Sequence, residues 1–369
     1  MTDTVLITGG AGFIGSHLTK ALLRAGHNVR ILDSLIEQVH PLGGPRNRLL
    51  DDVDFIEGDL RDADQVRRAL RGVDKVVHLA AEVGVGQSMY AIERYVSTND
   101  CGTAVLLEGL LKHRVARIVV ASSMSVYGEG RYRTHAGVVV DDAVRQSGAV
   151  GGWDPVDGDG RALAPVATPE GKAVNLASVY AITKYVQERM TLTVAQAYGI
   201  EAVALRLFNV YGAGQALSNP YTGVLAIFAS RLLHGQRPMV FEDGEQRRDF
   251  VHVEDVARAF MLALDSPAVA GGVFNIGSGR SVSVAEVARG FAGAMGRPEL
   301  SPEFMGKART GDIRHCFADI ALAQRQLGFA PRRSFADSFE EIADWVSRQQ
   351  SVDRFTEARL ELEQRGLVA

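Results

Sequence analysis

The stretch Val5-Leu6-Ile7-Thr8-Gly9-Gly10-Ala11-Gly12-Phe13-Ile14-Gly15 decides the fold of this 369-residue chain. Its three leading apolar residues are typical of a strand buried on both faces, and Ser16 to Arg24 is predicted to form a helix. A strand that turns through glycines into a helix can hold a dinucleotide pyrophosphate, because the backbone approaches the phosphates and the helix N-terminus offers free N–H groups. We therefore favour a dinucleotide site over a purely structural turn.

A carboxylate at the end of the second strand supports this interpretation. Val29, Ile31 and Leu32 predict a short buried strand that ends at Asp33. At this point a carboxylate accepts hydrogen bonds from the adenosine ribose and repels a 2′-phosphate, which favours NAD as the cofactor.

The composition excludes several other classes of protein. The chain is 46% hydrophobic and 23% charged, with a net charge of −4, so it has no general attraction for nucleic acid or anionic membranes. Cys101 and Cys316 match neither a disulfide framework nor a metal-binding spacing. The first strand begins almost at once, which leaves no room for a signal peptide, and no apolar run is long enough to span a bilayer. We expect a cytoplasmic protein that binds no metal.

Strands alternate with helices through the first two thirds of the chain. Further strands are predicted at 53–56, 75–79, 117–121 and 201–208, and helices at 62–70, 95–111, 178–198 and 223–234. This rhythm predicts a parallel, doubly wound α/β sheet of the Rossmann type. Ligand contacts should then come from the carboxyl ends of the strands, namely Gly9–Gly15, Asp33, Asp59–Leu60, Leu79–Ala81 and Ser122–Ser125.

Two segments depart from this rhythm. Ser34–Asp52, with Gly43-Gly44-Pro45, is predicted to be a loop. Residues 128–173 are rich in Gly, Asp and Pro and show no sustained period, so they are predicted to form a long loop that is functional or disordered. His135 within it is expected to be a solvated loop residue.

Tyr180 and Lys184 form a candidate catalytic pair. They lie four residues apart in a predicted helix and share one face. A nearby ammonium favours the phenolate and lowers the tyrosine pKa, so that the tyrosine can accept a proton from a sugar hydroxyl. Such pairs are common on helix surfaces, but Ser122 and Ser123 at the end of the fifth strand strengthen the catalytic interpretation, since a serine there would lie over the nicotinamide.

The motifs together carry a family resemblance. The chain resembles the extended short-chain dehydrogenases/reductases of the nucleotide-sugar epimerase/dehydratase group over residues 1 to about 345. The matching motifs are Thr8–Gly15, Asp33, Gly58-Asp59-Leu60, His78-Leu79-Ala80-Ala81, Asn99, Ser122-Ser123, Tyr180 with Lys184, Leu205–Gly212 and Arg248–Val253.

This resemblance implies the roles of individual residues. The catalytic set is Ser123, Tyr180 and Lys184. NAD is held by Gly9, Gly12, Phe13, Ile14, Gly15, Asp33, Asp59, Leu60, Leu79, Ala80, Ala81, Asn99, Ser122, Tyr180, Lys184 and Phe208. The substrate is held by Ser123, Ser125, Tyr180, Asn209, Arg248, Arg309 and Asp312, with Asn209 and Arg248 on the diphosphate. For Arg309 a surface position is nearly as consistent with the sequence.

The resemblance also implies the domain organisation. Residues 1–200 form the NAD-binding Rossmann domain, with the insertion at 128–173 and further elements from the C-terminal half. Residues 201–350 mainly form a nucleotide-sugar-binding lobe, and 351–369 form a peripheral, charged amphipathic helix. The helices that begin near Asn99 and Ser178 are expected to pair in a homodimer.

The residues after Ser123 favour one reaction of this group. The 4,6-dehydratases carry an Asp-Glu pair there and the glucuronate decarboxylases a Glu, whereas this chain has Met124 and Ser125. We therefore expect a 4-epimerase that passes through a 4-keto sugar with bound, recycled NAD. Residues 215–224, the insertion and Phe241–Gly244 resemble a bacterial subgroup of dTDP-L-rhamnose 4-epimerases. UDP-glucose and UDP-glucuronate epimerases stay open, followed by dehydratases or decarboxylases and a non-catalytic NAD-sensing protein.

Overall fold

The computed structural model describes residues 2–40, 48–145, 152–221, 223–349 and 352–368. Gly43-Gly44-Pro45, part of the insertion and Thr222 lie outside these residues. The strands in the described residues are β1 Thr4–Thr8, β2 Asn28–Asp33, β3 Asp54–Glu57, β4 Lys75–His78, β5 Arg117–Ser123, β6 Arg131–Arg133, β7 Val139–Val140, β8 Ala164–Val166, β9 Glu201–Leu207, β10 Asn209–Tyr211, β11 Met239–Val240, β12 Arg247–His252, β13 Val273–Ile276, β14 Ser281–Ser283, β15 Glu303–Phe304 and β16 His315–Cys316.

The α-helices of the described residues are α1 Phe13–Arg24, α2 Ala63–Ala69, α3 Val85–Ser88, α4 Ile92–Tyr95, α5 Gly102–Lys112, α6 Val179–Tyr198, α7 Val224–Leu233, α8 Val253–Asp265, α9 Val284–Ala294, α10 Ala321–Leu327, α11 Phe339–Ser347 and α12 Phe355–Gln364. Ser178 caps α6, because its side chain accepts a hydrogen bond from the Ala181 N–H. Helix α1 begins at Phe13 and not at Ser16, so the glycine turn is tighter than predicted.

A seven-stranded sheet forms the centre of the molecule, in the order β13-β9-β5-β4-β1-β2-β3. All six pairings are parallel. Val5, Leu6 and Ile7 in β1 are fully buried, with Val5 and Ile7 in one core layer and Leu6 in the other. Side chains of a strand alternate between its faces, so helices cover both sides of this sheet. The predicted Rossmann-type α/β class is confirmed.

The C-terminal half contributes a smaller lobe and one strand of the main sheet. β12 pairs with β10, β14 and β16 in the lobe's own sheet. Helices α7, α9 and α11 pack together around Phe228 and Phe291, both of which are buried. β13 instead returns to the edge of the main sheet beside β9, so the chain crosses between the two halves.

The insertion at 128–173 is more ordered than its sequence predicts. β6 pairs in antiparallel fashion with both β7 and β8. Tyr132 is fully buried and forms a small hydrophobic cluster with Leu163 and Ala143. The prediction of a long loop is therefore wrong for these residues. The sequence did not reveal the three strands, because strands of two or three residues show no detectable period. His135 is exposed, as expected.

The helix predicted at 95–111 is longer and contains an irregular turn. It runs from α4 through a π-helical stretch at Val96–Cys101 into α5. π-Helical turns widen a helix locally and often occur at functional sites. Asn99 lies in this stretch and is fully buried. Within the described residues no helix is long and apolar enough to cross a membrane.

Candidate functional site

The glycine turn after β1 has the geometry of a phosphate cradle. Gly9 has φ +70°, and a Cβ added to it would lie 2.7 Å from the Ala80 backbone nitrogen at the end of β4. Only glycine fits both the conformation and this close approach. Among the described residues, no side chain caps α1 at Gly12, so the N–H groups of its first turn are available to an anion. The turn fits a dinucleotide pyrophosphate.

Asp33 lies beside this turn at the end of β2. Its Oδ2 accepts a hydrogen bond from the Ala11 N–H at 3.0 Å, and its Oδ1 accepts from the Leu35 N–H at 2.9 Å. These bonds hold the carboxylate at the position where the ribose of a dinucleotide would lie. Asp59 follows β3, and its pKa is lowered because it accepts hydrogen bonds from Arg61.

Asn99 is fully engaged within the protein. Its Oδ1 accepts from the Glu82 N–H at 2.7 Å, and its Nδ2 donates to the Glu82 carbonyl and to Thr183 Oγ1. Asn99 therefore ties the loop after β4 to α6. Its contact with NAD stays a prediction, as do the contacts of Leu60, Leu79, Ala81 and Phe208.

Ser122 and Ser123 point in opposite directions from β5, because neighbouring side chains of a strand alternate. The Ser122 hydroxyl donates to Glu188 Oε2 at 2.6 Å. Glu188 also accepts two hydrogen bonds from Arg206, at 2.9 and 2.7 Å, in a buried ion pair. This hydroxyl therefore belongs to a buried structural network, and the contact of Ser122 with NAD stays a prediction.

Ser123 and Tyr180 meet at one end of a cavity. Ser123 Oγ accepts hydrogen bonds from the Ser125 hydroxyl at 3.0 Å and the Ser125 N–H at 3.2 Å. These residues and Met124 line the same wall. Burial raises the pKa of the Tyr180 phenol, and a hydrogen bond with Ser123 partly offsets that rise. Hydroxyl groups thus converge where a substrate oxygen can be bound.

The hydrogen-bond partner of Lys184 differs from the one predicted. Its Nζ donates to Gln187 Oε1 at 2.7 Å, and burial lowers the pKa of Lys184 to about 7. The expected lowering of the Tyr180 pKa by the ammonium is not observed, because desolvation dominates both groups. Gln187 was missed by sequence reasoning, although its position three residues after Lys184 places it on the same helix face.

A buried network stands behind this lysine. Gln187 Nε2 donates to Thr103 Oγ1 at 2.9 Å and lies 3.1 Å from His78 Nε2. Burial lowers the pKa of His78 to about 3, so this imidazole is neutral at physiological pH. The network fixes the position of Gln187 and, through it, the position of the Lys184 ammonium.

The cavity has a volume of about 420 Å³, within the range of small-molecule sites. Asn209 and Arg248 line it together. Asn209 Oδ1 is buried without a hydrogen-bond partner among the described residues. The Arg248 guanidinium donates to the main-chain carbonyls of Arg247, Ile313 and Arg314, and no described carboxylate pairs with it. The charge of Arg248 is thus available to an anionic ligand.

Arg309 and Asp312 form another part of the wall. Arg309 Nε donates to Asp312 Oδ2 at 2.8 Å, and its guanidinium carbon lies 4.6 Å from the centre of the Phe241 ring. All three residues line the cavity. Of the two positions left open for Arg309, the structure favours the one at the site.

Helix α12 also lines this cavity, which corrects its expected peripheral position. Phe355, Ala358, Arg359 and Leu362 face the cavity from α12. Sequence reasoning missed them because the apolar positions of a short charged helix do not show what the helix covers. Among the described residues, no group of His, Cys, Asp or Glu side chains is arranged to hold a metal ion.

The parallel sheet, the glycine turn with Asp33 and the Tyr180–Lys184 pair define an NAD-binding protein of the short-chain dehydrogenase/reductase class. The model of the NAD dependent epimerase/dehydratase family matches residues 5–142 and 158–277, and the chain belongs to this family. The predicted family, NAD cofactor and isomerase class are confirmed.

Similar proteins act on nucleotide sugars. The chain is 34% identical over 352 residues to the dTDP-L-rhamnose 4-epimerase of Burkholderia thailandensis, covering 94% of this chain and 95% of that protein. The UDP-glucose 4-epimerase of Thermus thermophilus, solved with NAD, has 30% identity and a TM-score of 0.74 over 94% of this chain and all of that one. MoeE5, solved with UDP-glucuronic acid and NAD, has 33% identity and a TM-score of 0.73 over 94% and 99% of the two chains.

Proposed function

We propose that this enzyme inverts the C4 hydroxyl of a nucleotide-diphosphate sugar through a transient 4-keto intermediate, with dTDP-L-rhamnose as the preferred substrate. The reaction type is inferred from the residues that line the cavity directly after β5. Hydroxyl groups from Ser123, Ser125 and Tyr180 converge there, and the residue that directly follows Ser123 is Met124. No carboxylate occupies the positions that eliminating or decarboxylating members of the group use.

The residues present can carry out the proton transfers. Tyr180 accepts the proton of the C4 hydroxyl and returns it, while Ser123 donates a hydrogen bond to the same oxygen. Bound NAD⁺ supplies a reversible hydride acceptor. Gly9, Gly12, Gly15 and Asp33 would hold it, and the geometry of the turn supports this assignment. We assign to Lys184 the support of the charge that develops on the phenolate, and in this structure its Nζ donates to Gln187 Oε1.

Inversion needs no further acid or base. The same Tyr180 serves both directions if the keto sugar rotates in the cavity and presents its other face. The cavity volume of about 420 Å³ supports such rotation. The diphosphate stays fixed meanwhile, and Asn209 and Arg248 are suited to hold it, because an unpaired guanidinium binds phosphate oxygens in a bidentate manner.

The sugar is proposed from the relatives rather than from hydroxyl contacts. The dTDP-L-rhamnose 4-epimerase relative aligns along nearly the whole of both chains. UDP-glucose and UDP-glucuronate are the second candidates, because the solved relatives include a UDP-glucose 4-epimerase and a complex with UDP-glucuronic acid.

We also propose a homodimer through the helices around Asn99 and α6. Ile92, Val96 and Ile182 are exposed apolar residues on these helices, and exposed apolar patches mark interaction surfaces. The cytoplasmic location stays a prediction.

The proposal is tested by proton NMR of the purified protein with dTDP-L-rhamnose, UDP-glucose and UDP-glucuronate in separate tubes, without added NAD. The C4 epimer should form from dTDP-L-rhamnose fastest. A product that lacks a hydroxyl or a carboxylate would contradict the proposed reaction. Faster epimerisation of a UDP-sugar would replace the proposed substrate and leave the reaction intact.

A further inference from the structure

We propose that Arg359, on the C-terminal helix α12, is a substrate-binding residue that donates hydrogen bonds to the diphosphate of the nucleotide sugar. This inference rests on the proposed function. It assigns a binding role to a segment that lies beyond the motifs of the family resemblance.

The side chain of Arg359 has one buried donor that the described part of the protein leaves without a partner. Arg359 lines the cavity, and its Nε is buried without a hydrogen-bond partner among the described residues. Nη1 forms an ion pair with Glu363 Oε1 at 3.7 Å, which is beyond hydrogen-bond distance and leaves Nε unsatisfied. A buried donor without an acceptor is unfavourable, so a bound acceptor would complete the site.

Apolar side chains of the same helix lie beside Arg359 in the cavity wall. Phe355 and Leu362, from the same helix, line the cavity beside it, and the Phe355 ring lies 6.4 Å from the ring of Phe241. Electrostatic interactions are stronger beside such apolar groups than in water.

The cavity therefore contains two arginines suited to one polyanion. Arg309 is hydrogen-bonded to Asp312. Arg248 pairs with no described carboxylate, and Arg359 has only the 3.7 Å ion pair with Glu363. A diphosphate carries at least two negative charges and several acceptor oxygens, which matches two guanidinium groups better than one.

Helix α12 is held firmly enough to present this side chain. Glu361 accepts hydrogen bonds from the hydroxyls of Tyr90 and Tyr221, at 3.0 and 3.1 Å. The last residues are fixed as well, since the Thr310 N–H donates to the Leu367 carbonyl at 2.9 Å. The helix thus bridges both sides of the cleft.

The experiment compares the full-length, NAD-loaded enzyme with Arg359→Gln, Arg359→Lys and the matched control Arg354→Gln. Arg354 lies at the start of the same helix, is exposed and does not line the cavity. Calorimetric titration with dTDP and with UDP gives the dissociation constants. Arg359→Gln should weaken diphosphate binding about tenfold or more, Arg359→Lys should weaken it less, and Arg354→Gln should stay within twofold of the wild type.

Equal affinity of Arg359→Gln and Arg354→Gln would overturn the inference. Binding of thymidine, which lacks the diphosphate, is measured by ligand-observed NMR. If Arg359→Gln weakens thymidine binding as much as dTDP binding, Arg359 contacts the base and the inference is overturned. Circular dichroism checks that each variant folds. If Arg359→Gln fails to fold, the comparison is made with Arg359→Lys. If the wild type binds dTDP but epimerises no sugar, the proposed function fails while this inference stands.

Discussion

Lys184 Nζ lies 2.7 Å from Gln187 Oε1, one turn further along α6, and both side chains are buried. The ammonium of the catalytic pair is therefore positioned by an amide that belongs to a second network, with Thr103 and His78 behind it. Gln187 does not line the cavity, so it acts through Lys184 and not on the substrate.

Replacing Gln187 should affect turnover more than substrate binding. Gln187→Leu removes the acceptor and should lower kcat about 10–100-fold with little change in KM, because the lysine loses its fixed position. Gln196→Leu, at an exposed position of the same helix, is the control. Steady-state kinetics with the preferred sugar separates kcat from KM, and a change confined to KM would contradict the positioning role.

The same residue allows a test by pH. Burial lowers the pKa of Lys184 to about 7, so activity that needs the ammonium should decline as pH rises through this value. Gln187→Glu places a carboxylate beside the ammonium, favours its charged form and should move this decline to higher pH. An unchanged pH profile of kcat/KM would show that Lys184 does not respond to residue 187.

Gly9 should be irreplaceable for a steric reason. Gly9→Ala places a Cβ 2.7 Å from the Ala80 nitrogen in a backbone with positive φ, so both protein stability and NAD retention should fall. Gly26 has φ +86° and open space around it, so Gly26→Ala should cost about 1 kcal/mol and retain NAD. Absorbance of the NAD released on denaturation measures retention, and equal behaviour of the two variants would contradict the close-approach argument.

The buried pair of Glu188 and Arg206 should matter for folding. Glu188→Ala leaves the Arg206 charge uncompensated and frees the Ser122 hydroxyl, so the free energy of unfolding should fall by about 3–5 kcal/mol. Asp344→Ala removes an exposed pair with Arg348 and should cost less than about 1 kcal/mol. Denaturant unfolding measures both, and similar losses would contradict the burial argument.

His78 should make stability depend on pH. Its pKa is about 3 in the folded protein against 6.5 for an ordinary histidine. Between these values the unfolded chain binds a proton that the folded chain does not, so stability should fall as pH falls, by up to about 1.4 kcal/mol per unit. His78→Asn should remove this part of the slope. His135→Asn, at an exposed position, should retain the wild-type slope, and a retained slope in His78→Asn would contradict the assignment.

Local patterns predicted the parts of the site that lie close together in sequence. The glycine turn and the Tyr180–Lys184 spacing are each set within one element, so a single strand–turn–helix or one helical turn defines them. The parallel order of the main sheet follows from the alternation of strands and helices.

Relationships between distant segments could not be predicted in this way. The closure of the cavity by α12 depends on contacts between Glu361 and Tyr90 across 271 residues, and nothing in a short charged helix reveals its partner. The hydrogen bond between Ser122 and Glu188 was not predicted, because β5 extends two residues further than expected and strand alternation decides the direction of this side chain. The small sheet of the insertion has strands of two or three residues, too short for a detectable period.

The most direct test of the central claim follows a label at C4. The enzyme is incubated, without added NAD, with dTDP-L-rhamnose that carries deuterium at C4. One sample is prepared in ordinary water and one in D₂O, and the C4 epimer is examined by NMR. Because the hydrogen that leaves C4 returns to the same carbon, the account predicts an epimer that keeps its deuterium in ordinary water and gains none at other carbons in D₂O. Loss of the C4 label, or solvent deuterium at C3 or C5, would contradict it.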